Sequence, residues 1–210
     1  MELPNYQTLK TEIAAPHVLL VTLNRPEVAN ALNTQMGRDF LDLWTRLTED
    51  AGEVRCVVLT GAGERVFCAG ADLKERNGMT REQWRRQHEL FERHYWALTD
   101  LPVPVIAAVN GHAYAGGFEA VLSCDFAYAV KTARFALTEV TLGIMPGAGG
   151  TQNLPRAVGE RRAKELIMTA RAFTAEEGYD WGLVNRVCEP GKVLAEAVDT
   201  ARAIAENAPL

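Results

Sequence analysis

The longest apolar runs in this chain do not alternate. Val54 to Thr60 is nearly continuous in apolar residues, the pattern of a strand covered on both faces, and Val105 to Val109 repeats it. Nearer the start, Tyr6 to Thr11 and His17 to Asn24 read as a β-hairpin around Ala14-Ala15-Pro16, with Val18 to Leu23 the stronger strand. Between these runs the period changes. Met36, Phe40, Leu43, Trp44 and Leu47 recur at helical spacing after a capping residue at Asn33 or Thr34. Thr80 and Gln83 form a capping box that opens a long helix over residues 80–99. Its polar face carries Arg81, Arg85, Arg86 and Arg93, which read as a solvated surface.

Further along, Asp125 to Val130 is a short strand, and Phe135 to Gly143 leads into the Gly-rich turn Pro146-Gly-Ala-Gly-Gly150. Thr151 to Val158 and Glu160 to Thr169 read as helices, and Thr174 with Glu177 caps another. Leu183 to Cys188 is the last strand, and Val193 to Asn207 is a helix. Strands alternating with helices make the class α/β.

One stretch stands apart. Val105 to Val109 stops at Asn110-Gly111, and Gly116-Gly117 then opens a helix with Glu119 in its first turn. A glycine-opened helix start leaves bare N–H groups at a positive helix end, where developing negative charge is favoured. A weaker echo precedes it. Val57-Val-Leu-Thr-Gly61 leads to Ala69-Gly-Ala71 as Ala107-Ala-Val-Asn-Gly111 leads to Ala115-Gly-Gly117. Such a repeat brings two N–H donors towards one point.

Composition narrows the function classes. With 48% hydrophobic residues and 23% charged residues over 210 positions, the chain has the make-up of a globular protein with one main domain. A net charge of −5 disfavours a generic nucleic-acid or anionic-membrane binder. Cys56, Cys68, Cys124 and Cys188 show no C-x-x-C spacing and read as buried thiols of a reducing compartment. Met1-Glu-Leu-Pro-Asn5 lacks the charge and apolar core of a secretory signal, and no run reaches the ~18 apolar residues of a membrane span. A cytoplasmic location is the expectation.

Motif by motif, most chemistries drop out. Neither a P-loop nor a G-x-G-x-x-G fingerprint occurs, and no serine sits in a nucleophile elbow. His88 and His94 are six apart, on different helix faces, and His17 and His112 are isolated, so no metal site is expected. Two acids remain, Glu119 and Glu139. Each has an ordinary reading: Glu119 as a first-turn acid favouring the helix dipole, Glu139 as an N-terminal charge behind a Thr138 cap. Together, in Gly-rich and otherwise apolar surroundings, they also suit a carboxylate pair that holds a water and divides acid and base roles.

Three segments carry a resemblance. Phe67-Cys-Ala-Gly-Ala-Asp-Leu-Lys74, Asn110-Gly-His-Ala-Tyr-Ala-Gly-Gly-Phe-Glu119, and Thr138-Glu139 followed by Gly143-Ile-Met-Pro-Gly-Ala-Gly-Gly-Thr-Gln152 resemble the crotonase (enoyl-CoA hydratase/isomerase) family. Asn24-Arg-Pro-Glu27, Asn30-Ala-Leu-Asn33, Thr169 to Glu177 and Gly182-Leu-Val184 follow it in family order. The resemblance implies a spiral of ββα units over 1–192 and, at 193–210, the start of a C-terminal helical region that family members normally continue. It implies a homotrimer or dimer of trimers and an acyl-CoA thioester substrate of the kind met in fatty-acid β-oxidation. No cofactor is implied, since coenzyme A is part of the substrate.

The family's oxyanion hole maps onto the backbone N–H groups of Ala71 and Gly116, and its two catalytic glutamates onto Glu119 and Glu139. In that reading Glu139 delivers the Cα proton, Glu119 binds the attacking water, and the backbone at Gly147 also contacts it. Coenzyme A contacts are implied near Val28, Ala29, Ala69, Asp72 and Leu73, with Lys74 as phosphate partner. Arg25 is either structural or a coenzyme A ligand. Both acids together favour hydration of a 2-enoyl-CoA. The alternatives are an isomerase or another crotonase-type lyase, or a non-catalytic acyl-CoA-binding protein. The acyl chain stays open among short straight, branched methylglutaconyl-type and aromatic acids. Phe118 departs from a commonly small residue and either narrows the acyl pocket or packs in the core. A chain stopping at Leu210 is expected to expose apolar surface near residues 193–210.

Overall fold

The computed structural model describes residues 3–208. Two sheets carry the fold. The larger contains β1 (Leu9–Ala15), β2 (Val18–Leu23), β3 (Cys56–Gly61), β5 (Val105–Val109), β7 (Phe126–Val130) and β10 (Arg186–Cys188), hydrogen-bonded in that order. Only the β1–β2 pair is antiparallel; every later neighbour is parallel. The smaller sheet contains β4 (Val66–Cys68), β6 (His112–Tyr114), β8 (Arg134–Ala136) and β9 (Phe173–Thr174). Each turn of the chain therefore lays one strand in the large sheet and the next in the small one: β3 then β4, β5 then β6, β7 then β8. The expected α/β spiral is the observed architecture.

The continuous apolar runs are explained by two cores. In β3, Val57 and Leu59 face one cluster while Cys56 and Val58 face the other. In β5, Val105, Ala107 and Val109 face the first and Ile106 and Ala108 the second. The first core lies against α1 (Thr34–Glu49), α3 (Arg81–Thr99) and the small sheet. Asn33 caps α1 by accepting from Met36 N at 2.9 Å, and Thr80 and Gln83 close the capping box of α3. Arg81, Arg85, Arg86 and Arg93 are exposed, as the pattern predicts.

The second core is closed by α8 (Val193–Ala205), whose Val193, Ala197, Ala201 and Ala205 recur every four residues and are buried on the large sheet. Small side chains let the helix lie close to the strands. The expectation of exposed apolar surface near 193–210 is thereby corrected for this helix; residues 209–210 lie outside the described residues. The large apolar side chains that are exposed include Val140, Leu142, Ile144 and Met145 instead.

Two strand boundaries also differ. The first hairpin strand is Leu9–Ala15, because Thr8 is drawn off by Asp39 Oδ2, which accepts from its N–H at 2.9 Å and its hydroxyl at 2.7 Å. The last strand starts only at Arg186, because the Leu183 and Val184 N–H groups both donate to Gly178 O at the end of α7 (Ala175–Asp180). Phe118 is a core residue: fully buried, it packs at 5.3 Å on Phe135 and 5.5 Å on Phe173.

The echo noted in the sequence has a structural meaning. β3 and β5 are parallel neighbours, and so are β4 and β6. The segment after β4 therefore runs beside the segment after β6. Contact is close enough to require Gly117: a Cβ there would stand 2.2 Å from Cys68 O.

Candidate active site

A cavity of about 530 Å³ opens where these two segments meet. Ala69, Ala71, Leu73, Gly116, Glu119, Glu139 and Gly147 all line it. Three segments far apart in sequence, 69–73, 116–119 and 139–147, thus reach one space.

Ala71 gets there through a single bridge. Leu32 donates to Gly70 O and accepts from Asp72 N, at 2.8 and 2.9 Å, forming a parallel bridge opposite Ala71. In such a bridge the partner bonds the flanking residues, so the N–H of Ala71 is turned away from Leu32. Gly116 arrives at the first position of α4 (Gly116–Ser123), where a helix leaves its N–H groups free. Ala115 before it has φ +47° and ψ −126°, a conformation costing an L-residue about 1–3 kcal/mol. It is held there from both sides: its N–H donates to Ala136 O, and its carbonyl accepts from Phe118 N and Glu119 N. Among the described residues neither Ala71 N–H nor Gly116 N–H has an acceptor. The two backbones touch, since a Cβ on Gly70 would lie 3.3 Å from Gly116 N.

The two acids are buried differently. Glu119, 3% exposed, projects from the first turn of α4, and its Oε1 accepts from Ala148 N at 2.8 Å and Gly150 N at 2.9 Å. Burial raises its pKa, while those two amide bonds work in the opposite direction. Gly150 is required at this contact, because a Cβ there would stand 2.9 Å from Glu119 Oε1. Glu139, 7% exposed, opens the 3₁₀ turn Glu139–Leu142, and its Oε2 has no hydrogen-bond partner among the described residues. Burial first, and the charge of Glu119 second, push its pKa up to about 7. Thr138 is the cap of this turn and Glu139 its first-turn acid, as the ordinary reading has it, but the Thr138 side chain makes no cap bond and Glu139 is buried. The amide bonds thus work against burial at Glu119, while Glu139, without such donors, is poised to keep a proton near neutrality.

Several expected contacts lie elsewhere. Val28 and Ala29 belong to the 3₁₀ turn Pro26–Val28 and its cap, outside the cavity lining, although Ala29 O accepts from Ala69 N at 3.1 Å and ties that turn to the rim. Lys74 is exposed and is not part of the lining. Asp72 caps α2 (Leu73–Arg76), accepting from Lys74 N and Glu75 N, and pairs with Arg25 at 3.0 Å. Arg25 Nη1 also donates to Ala31 O at 2.6 Å, so the side chain ties the Pro26–Val28 turn to Asp72.

The cavity also contains residues the sequence reading passed over. Trp84, His88, Phe91 and Tyr95 form one stripe of α3, spaced by four, three and four residues, on the side away from Arg86 and Arg93. The aromatic spacing was the available signal. Tyr95 is buried, and its hydroxyl donates to the carbonyl of Gly116. His88 stacks on Trp84 at 5.2 Å and abuts Gly147, where a Cβ would lie 2.6 Å from its ring. His94, by contrast, is a core residue stacked on Phe40, and burial lowers its pKa to about 3. Among the described residues no three His, Cys, Asp or Glu side chains group as a metal site, and no helix is long and apolar enough to cross a membrane.

Two backbone N–H groups without acceptors and two buried glutamates thus border one cavity. Comparison with known proteins gives the family. A family model described as enoyl-CoA hydratase/isomerase matches residues 14–210. The short-chain-enoyl-CoA hydratase of Clostridium acetobutylicum is 45% identical over 193 residues, covering 92% of this chain and 74% of that protein. The crotonyl-CoA hydratase of Syntrophomonas wolfei is 39% identical over 188 residues, covering 90% and 72%. The crystal structure of an enoyl-CoA hydratase from Bacillus anthracis superposes with a TM-score of 0.94 at 46% identity, covering 97% of this chain and 78% of that one. The chain belongs to the enoyl-CoA hydratase/isomerase family.

Proposed function

We propose that this protein adds water across the 2,3 double bond of a 2-enoyl-CoA thioester, giving a 3-hydroxyacyl-CoA. The observation that carries the reading is the pair of buried glutamates with opposite surroundings in one cavity: Glu119 with two backbone amides on Oε1, Glu139 with a bare Oε2 and a pKa near 7.

The thioester carbonyl accepts from Ala71 N–H and Gly116 N–H. A water lies between the carboxyl groups, with the backbone at Gly147 as a further contact. Glu119 takes a proton from this water as its oxygen bonds to Cβ. The π electrons of the double bond move to Cα and the carbonyl, and the oxygen becomes an enolate held by the two amides. Glu139 then gives its proton to Cα, and the proton on Glu119 restores Glu139, so that one water is added in all. Losing one such amide donor typically costs ~10²–10³ in rate. Because the acids share a water, their titration belongs to the pair.

The coenzyme A portion is proposed to follow the rim at Val28, Ala29, Ala69, Asp72 and Leu73, with Lys74 as the phosphate partner. A homotrimer or dimer of trimers is proposed as the assembly, and fatty-acid β-oxidation as the kind of pathway served. Four buried, unpaired cysteines suit a reducing compartment such as the cytoplasm.

The test is incubation of the purified protein with crotonyl-CoA. Loss of the enone absorbance with formation of 3-hydroxybutyryl-CoA is expected. Binding without turnover would point to an acyl-CoA-binding protein, and faster conversion of a 3-enoyl-CoA to its 2-enoyl isomer would point to an isomerase. Either result rejects the reading.

A further inference from the structure

The cavity contains an arginine for which the hydration chemistry has no use. Arg76, the last residue of α2, lines it alongside apolar neighbours such as Leu32, Leu142 and Ile144. Its guanidinium carbon lies 5.5 Å from the ring centre of Phe91 and 5.6 Å from that of Trp84. Nε donates to Gln87 Oε1 at 2.8 Å. Gln87 is buried and is itself fixed by bonds to Thr34 Oγ1 and Glu75 Oε2. The guanidinium is therefore oriented, yet among the described residues Nη1 and Nη2 have no acceptor and Arg76 joins no ion pair.

Nearby acids are committed elsewhere. Glu75 Oε2 accepts from Thr34 N and Gln87 Nε2, and Glu92 pairs with His88 at 3.4 Å. Burial lowers the pKa of Arg76, although arginine stays charged at neutral pH. The charge of Glu75 offsets part of this burial without an ion pair to the guanidinium, so an anion brought by a ligand would supply Nη1 and Nη2 with the acceptors they lack.

Position indicates which anion. Tyr95, bonded to the Gly116 carbonyl, marks the oxyanion end of α3, and Phe91 stands about one turn, ~5.4 Å, further along. An acyl chain that starts at Gly116 and runs along α3 meets the guanidinium after a few carbons. We propose that Arg76 selects 2-enoyl-CoA thioesters whose acyl chain ends in a second carboxylate, bound by Nη1 and Nη2; this rests on the cavity being the 2-enoyl-CoA site. The phosphates of coenzyme A offer the same anionic chemistry, so the test must separate the two sources.

Calorimetric titration with glutaryl-CoA and butyryl-CoA does so. Both are saturated and cannot be hydrated, so the result does not depend on turnover. The wild type is expected to bind glutaryl-CoA more tightly than butyryl-CoA. Arg76→Met is expected to shrink that ratio by about 10- to 100-fold, the range for a hydrogen bond between charged groups, and Arg76→Lys to retain part of it. The proposal is overturned by a wild type without preference, or by a ratio unchanged in Arg76→Met. A parallel fall in both affinities assigns Arg76 to the coenzyme A phosphates and also overturns it. If Arg76→Met does not fold, the wild-type and Arg76→Lys ratios decide. Failure of the hydratase reading is seen separately, as no turnover of either crotonyl-CoA or glutaconyl-CoA, the 2-enoyl thioester that carries the second carboxylate.

Discussion

Replacing Glu139 by glutamine should make the protein more stable at alkaline pH than at acid pH, relative to the wild type. The carboxyl has a pKa of about 7 in the folded protein against 4.5 in an unperturbed glutamate. At a pH below both values it is protonated in either state, and folding costs nothing extra. As the pH rises from 4.5 towards 7, the unfolded chain loses its proton first, and stability falls. Above about 7 the folded protein carries a buried carboxylate, and the full cost is about 3 kcal/mol. Glutamine keeps the shape and never ionises. Between about pH 5 and about pH 8 the stability of Glu139→Gln relative to wild type should therefore rise by about 2–3 kcal/mol. For a chain of this size that is a relative gain of roughly 5–10 °C in melting temperature. Thermal unfolding of both proteins without ligand, at a series of pH values, measures it. Melting curves that stay parallel across the range would refute the claim that burial and the Glu119 charge hold the proton on Glu139.

Three further substitutions probe the surroundings. Gly150→Ala places a methyl 2.9 Å from Glu119 Oε1 and 3.0 Å from the Pro146 side chain, so it should displace the carboxylate. Hydration of crotonyl-CoA is expected to fall by at least about tenfold, equivalent to the loss of roughly one charged hydrogen bond; wild-type rates would exclude the contact. Tyr95→Phe removes the donor on the Gly116 carbonyl. It should lower kcat about 5- to 100-fold with a smaller change in KM, because it positions the donor backbone; an effect confined to KM would contradict this. Phe118→Ala should cost about 3–5 kcal/mol in denaturant unfolding, since the ring is packed between Phe135 and Phe173. A loss below about 1 kcal/mol would mean that the ring borders the cavity instead.

Much of the layout was legible because it is local. Capping at Asn33, Thr80 and Thr174 depends on residues three apart, and the sequence positions these helix starts to within a residue. The runs in β3 and β5 are apolar on both faces because α8 covers the second face, and periodicity carries that information. In the cavity lining, Gly116 and Glu119 stood out through the glycine-opened helix and Glu139 as the second acid, whereas the roles of Ala71 and Gly147 came with the resemblance. What stayed hidden depends on distant partners. Nothing near Arg76 in the chain shows that Trp84 and Phe91 will flank it. Nor does a helical tyrosine announce that it will reach a carbonyl 21 positions away. Nor does the sequence show that Asp72 will be engaged both as the cap of α2 and as the partner of Arg25, 47 positions away.

The division of labour between the two acids is the central claim. Crotonyl-CoA turnover by Glu119→Gln and by Glu139→Gln, measured beside butyryl-CoA binding, tests it most directly. Each variant should lose most hydratase activity while still binding the thioester. Turnover close to wild type in either variant would contradict the account.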